Sequence, residues 1–113
     1  MPVSRRGATA ALAALVVLAA AAPAGARAPA PVTVHIANFT FNAPSVTVPL
    51  GSTVTWVNDD DIPHTVVATD RSFKSKPLDT GDRFSFTFTK AGDYDYFCSL
   101  HPHMTGKVVV RPQ

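Results

Sequence analysis

The chain has 113 residues, enough for one domain, and its ten Lys and Arg face eight Asp and no Glu, for a formal net charge of +2. Arg5 and Arg6 stand in a stretch expected to be removed, leaving eight basic and eight acidic residues from Arg27 onward. A near-neutral domain makes no electrostatic case for nucleic-acid binding, which would need a basic face, so no nucleic-acid partner is expected.

Residues 1–26 have the layout of a secretory signal. Arg5-Arg6 gives a positive start, Ala8 to Ala22 is a run of small and apolar residues save Thr9, and Ala24-Gly25-Ala26 offers small residues at a cleavage site. Cleavage is expected after Ala26. The apolar run falls short of the ~20 residues a membrane-crossing helix needs, so no stable span is expected. The protein is expected in the periplasm or otherwise exported. The route stays open, because Ser4-Arg5-Arg6 could belong to a degenerate twin-arginine signal or to a general secretory one.

Residues 27–31 read as a Pro/Ala linker, and period-two alternation starts at Val32. Val32, Val34 and Ile36 alternate with polar or small neighbours, as do Val46 and Val48, Val54 and Trp56, Phe84, Phe86 and Phe88, then Tyr94, Tyr96 and Cys98; Lys107 to Arg111 closes the chain. Such alternation marks half-buried strands. Asn42-Ala43-Pro44, Pro49 to Ser52, Asn58 to Pro63, Thr80-Gly81-Asp82 and Ala91-Gly92-Asp93 separate them as turns. Phe39 to Phe41 and Ser72 to Leu78 break the alternation and are expected as loops or irregular edges. The fold class is all-β: a two-sheet antiparallel sandwich of about seven or eight strands.

Cys98 is the only cysteine, and Met104 the only methionine besides the initiator. A lone thiol in an exported domain cannot form an internal disulfide; it is buried and inert, reactive, bridged to another molecule, or a metal ligand. Its surroundings favour the last. His101 follows after two residues and Met104 after two more, a spacing that can wrap one ion, and His64 opens a strand at a loop end where a sandwich gathers its loops. Taken singly, Cys98 reads as a buried thiol, Met104 as core filler and His101 as a surface residue. Together, a thiolate, two imidazoles and a weak thioether suit one copper ion in a trigonal site with Met104 as a long axial ligand. His35 has the wrong strand parity for the core and reads as solvated or hydrogen-bonded. His103 is expected to point outward.

Trp56-Val57-Asn58 to Pro63-His64, followed by Gly92 to Met104, resembles the blue-copper cupredoxin family. The resemblance runs through nearly all of the domain expected at 32–113. The Cys-x2-His-x2-Met loop is at the short end of that family's range, on the amicyanin side. His103 departs from that pattern, which tends to place an aromatic residue there, and would therefore mark a different partner-facing surface. The resemblance implies a Greek-key sandwich and a one-electron carrier between transient redox proteins, expected as a monomer. It implies that Asn58 ties the two ligand loops together, through the Ser99 side chain and through backbone to the Cys98 sulfur. Tyr94 or Tyr96 would pin a corner near the cysteine. His101 would be the exit for the electron, within a small apolar docking patch of Ile62, Pro63, Leu100, Pro102 and Met104, with His103 beside it. Asp59-Asp60-Asp61 could form an acidic rim or merely a solvated loop.

A copper-storage or delivery protein with the same ligands is the alternative function. An enzyme is not expected, because a Cys/His pair used as nucleophile and base has no third orienting group here and leaves Met104 without a role. Structural zinc has little use for Met.

Overall fold

The structure, a computed structural model, describes residues 28–112 and Ala14; the leader and the cleavage point expected within 1–26 otherwise lie outside the described residues. Eight strands follow one another: β1 (Val32–Ala37), β2 (Thr40–Asn42), β3 (Ser45–Pro49), β4 (Thr53–Asn58), β5 (Val67–Ala68), β6 (Arg83–Thr87), β7 (Gly92–Cys98) and β8 (His101–Arg111). They form two four-stranded sheets, in the orders β2-β1-β4-β6 and β3-β8-β7-β5. The all-β sandwich expected from the alternation is the observed architecture. No helix among the described residues is long and apolar enough to cross a membrane.

The sheets are mixed where antiparallel ones were expected: two pairings are parallel, β1 with β4 and β3 with β8. Alternation cannot reveal this. A strand with one face on the core and one in solvent alternates in the same way whichever direction its neighbour runs. The mixed character comes from the connections, since the chain leaves the first sheet after β2 and returns beside β1 as β4.

The inward residues meet in one core that includes Val34, Ile36, Phe41, Val54, Trp56, Tyr96, Val108 and Val110. Phe84 and Phe86 are only half-buried and pack against its side, while Phe88, just past β6, is fully buried. Phe41 belongs to the short edge strand β2, where a loop or irregular edge was expected. The Tyr94 hydroxyl donates to the Lys90 carbonyl at 2.7 Å, pinning the chain's entry into β7. Tyr96 lies across Gly106, its partner in the ladder: a Cβ on Gly106 would come within 2.2 Å of the Tyr96 ring.

Ser72 to Leu78 contributes more than a connection. Phe73 is buried against Trp56, with stacked rings 5.6 Å apart, and Leu78 is buried too. The segment runs back alongside residues 64–68. His64 N donates to Leu78 O at 3.1 Å, Leu78 N returns a bond to His64 O at 2.7 Å, and Ser75 N bonds Val66 O at 2.8 Å. These bonds fix the backbone of His64 before its side chain makes any contact.

Candidate metal centre

Strand β7 carries Cys98 inward because it shares the parity of Tyr94 and Tyr96, and its sulfur is fully buried. A two-residue turn, Ser99-Leu100, reverses the chain, so His101 already opens β8 opposite Cys98. The next pair in the ladder is Phe97 with Thr105, which leaves Pro102, His103 and Met104 unmatched. This irregularity re-aims side chains, the usual effect of a bulge beside a functional site. Met104 turns into the core cluster that holds Cys98, whereas Pro102 and His103 face out.

His64 reaches the same point from the other ligand loop. Its Nδ1 lies 3.7 Å from Cys98 Sγ, and so does Nδ1 of half-buried His101. The three donor atoms lie within 4.8 Å of one another. An ion bound at about 2.0–2.1 Å to nitrogen and about 2.3 Å to sulfur, with bonds about 120° apart, holds the two atoms about 3.8 Å from each other. The observed spacing therefore fits an ion among the three, and the buried thioether of Met104 adds a soft donor to the set.

The surroundings prepare these donors. Thr65 N donates to Cys98 Sγ at 3.3 Å. Thr65 Oγ1 lies 3.7 Å from the sulfur, accepts the Ser99 N–H at 2.7 Å and shares a hydrogen with Ser99 Oγ at 2.7 Å. Burial pushes the Cys98 thiol up, but the hydrogen bonds from Thr65 N, His64, His101 and the Thr65 hydroxyl outweigh it and hold the pKa down at about 6. The lowered value favours the thiolate, the form that binds metal.

His64 is fully buried, and its Nε2 lies 2.8 Å from Asp60 Oδ2. Burial pushes the Asp60 carboxyl up, but bonds from Phe39 N, His64 and Asn38 N hold it below the ordinary carboxylate range. An ionised carboxylate only accepts, so His64 Nε2 carries the hydrogen of this bond, which holds the ring with Nδ1 turned toward the sulfur.

One expectation needs correction. Asn58 is buried beside His64, yet its amide does not reach the Cys98 loop. Nδ2 gives its two hydrogens to the carbonyls of Ile62 and Leu78, both at 2.8 Å, and Oδ1 accepts Asp60 N at 2.9 Å. Asn58 shapes the His64 loop, while Thr65 joins that loop to Ser99 and Cys98. Of the three aspartates left open as rim or solvated loop, Asp60 turns inward to His64, while Asp59, paired with His35 Nδ1 at 2.7 Å, and Asp61 stay exposed.

Sequence reasoning missed Thr65, Asp60 and Phe39. The four-residue offset from Asp60 to His64 was a usable signal for one of them. Phe39 is half exposed, and its ring stands edge-on to both imidazoles, with centroids 5.5 Å from His64 and 5.1 Å from His101. Of the expected docking residues, Pro63, Leu100, Pro102 and His103 are exposed and Ile62 is half-buried, but Met104 is buried and offers no docking surface.

The sequence model of the Cupredoxin-like domain family matches residues 8–110. Amicyanin of Paracoccus denitrificans is 40% identical over 84 residues, which cover 70% of this chain and 64% of that protein. The chain thus spans a little under two thirds of that relative's length. A novel purple cupredoxin from Nitrosopumilus maritimus superposes with a TM-score of 0.68 at 36% identity, covering 71% of this chain and 99% of the other. An amicyanin variant described with Cu(I) gives a TM-score of 0.67 at 40% identity, covering 72% of this chain and 82% of the other.

Proposed function

The chain belongs to the cupredoxin-like family, and from that premise we propose that it carries single electrons through one copper ion held by His64, Cys98 and His101, with Met104 as a long, weak fourth ligand. The observation that carries this reading is the convergence of two imidazole Nδ1 atoms at 3.7 Å on one buried sulfur. Copper, when bound there, supplies a reversible change between Cu(I) and Cu(II).

The residues around the site do the rest. The Thr65 N–H stabilises negative charge on Cys98 Sγ, which weakens electron donation from the sulfur and raises the reduction potential. Asp60 holds the His64 ring in one tautomer and one orientation. Backbone bonds to Leu78 hold His64, and the Thr65–Ser99 bonds hold the turn after Cys98. Donors fixed in this way move little when the charge of the metal changes, so the barrier to electron transfer stays small. Half-buried His101 offers its outer edge as the exit. Phe39, Leu100 and Pro102, all exposed, add apolar surface beside it, with His103 next to them. A patch of this size suits a brief encounter with a redox protein. The protein acts as an exported monomer, its leader over residues 1–26 being removed, and not as an enzyme.

The test is voltammetry of the copper-loaded protein. A reversible one-electron wave, with the metal retained through repeated cycles, is expected. Loss of copper on each reduction would favour storage or delivery and contradict the carrier reading.

A further inference from the structure

Phe39 is an unusual residue to find where it is. It and Leu100 are the large hydrophobic side chains most exposed among the described residues, each at 49%. Its backbone is left-handed, with φ of 56°, and so is that of Asn38, with φ of 54°. Bulky residues rarely adopt that conformation, and the outliers that persist are over-determined by their surroundings. Here the cause is visible. Two successive N–H groups, from Asn38 at 2.7 Å and Phe39 at 2.9 Å, close on the carboxylate of Asp60. Adjacent backbone N–H groups of this kind make a small anion-binding concavity. Asp60 Oδ2 also bonds His64 Nε2, and its backbone is held by the Asn58 side chain and the Thr80 hydroxyl. One carboxylate therefore fixes a buried imidazole and, through the β1–β2 turn, the ring that stands edge-on to that imidazole and to His101.

We propose that Phe39 is a positioning residue that holds His64 and His101 in the orientation that binds the metal, and that Asp60 acts as the clasp keeping Phe39 there. The proposal rests on the metal-site reading above. His101 is the half-buried imidazole of the pair, at the start of β8 just past a two-residue turn. The Phe39 ring limits its swing. His64 has the backbone bonds to Leu78 in addition, so the effect of Phe39 falls mainly on His101.

The test uses the full chain loaded with Cu(I) and measures how fast a Cu(I) chelator, bathocuproine disulfonate, strips the metal. Phe39→Ala is expected to speed stripping about tenfold, the factor that two edge-on ring contacts are together worth, and Phe39→Leu by less. Asp60→Asn should also speed it, and the double variant should fall short of the product of the two single effects. The matching readout in the metal-free protein is ring motion of His101 by 15N relaxation, which should increase in Phe39→Ala and Asp60→Asn. Stripping in Phe39→Ala within about twofold of wild type, or unchanged His101 motion, overturns the role of Phe39. Effects that multiply independently overturn the clasp. A wild-type chain without an intense blue band but with Phe39-dependent stripping would sink the electron-carrier reading alone. A wild-type chain that binds no Cu(I) overturns both.

Discussion

The backbone nitrogen of Thr65 donates to Cys98 Sγ at 3.3 Å, across 33 residues of sequence. This bond joins the end of the His64 loop to the end of β7, so the two halves of the site are locked together in the protein itself. The Thr65 hydroxyl reinforces the junction through the Ser99 N–H.

Thr65→Val keeps the shape of the residue and the N–H donated to sulfur but removes the acceptor of the part-buried Ser99 N–H bond. Leaving that donor unmatched should cost about 1–2 kcal/mol. Urea unfolding of the metal-free protein measures this, with the slope unchanged and the midpoint lowered. An unchanged midpoint would mean that water substitutes for the hydroxyl.

The Cys98 thiol titrates at about 6 when folded, against an ordinary value of 9.0. A group whose folded pKa is depressed contributes stability that is full above the unfolded pKa and lost as pH falls through the folded one. The metal-free protein should therefore lose stability relative to Cys98→Ser as pH drops from about 9 to about 6, and level off below that. Parallel melting curves of the two proteins across this range check the sign. A difference that does not vary with pH would show that the folded thiol is not depressed.

Gly106→Ala tests the packing under the site. The added Cβ would meet the ring of Tyr96, which is itself wedged between Phe41 and Trp56, with centroids 4.7 and 5.4 Å away. The ring has nowhere to go, so the loss should reach the upper end of the overpacking range, about 3 kcal/mol. Thermal unfolding reads it directly. A loss under about 1 kcal/mol would mean that the Tyr96 ring moves more freely than its neighbours suggest.

Much of this molecule was legible in its residues. Period-two alternation placed β1, β3, β4, β6 and β7 because each has one face on the core. The cluster of Cys98, His101 and Met104 stood out because a thiol, an imidazole and a thioether within seven residues make a rare combination. What escaped the reading depends on contacts between distant parts of the chain. Phe73 and Leu78 are core residues in a segment without periodicity, since the segment lies along residues 64–68 through isolated bonds instead of a regular ladder. The parallel pairing of β1 with β4 leaves no trace in alternation. Thr65 acts through its backbone N–H, which any residue but proline carries. Asp60 looked like one of three surface charges until the fold brought the Asn38–Phe39 turn and His64 to its carboxylate. Phe39 sits in a left-handed turn that no local signal marked.

The most direct test of the account is the visible spectrum of the purified protein loaded with one equivalent of Cu(II). A His64–Cys98–His101 site predicts an intense thiolate-to-copper band at about 600 nm, absent in Cys98→Ser. A colourless or weakly coloured product, or a band that survives Cys98→Ser, would contradict it.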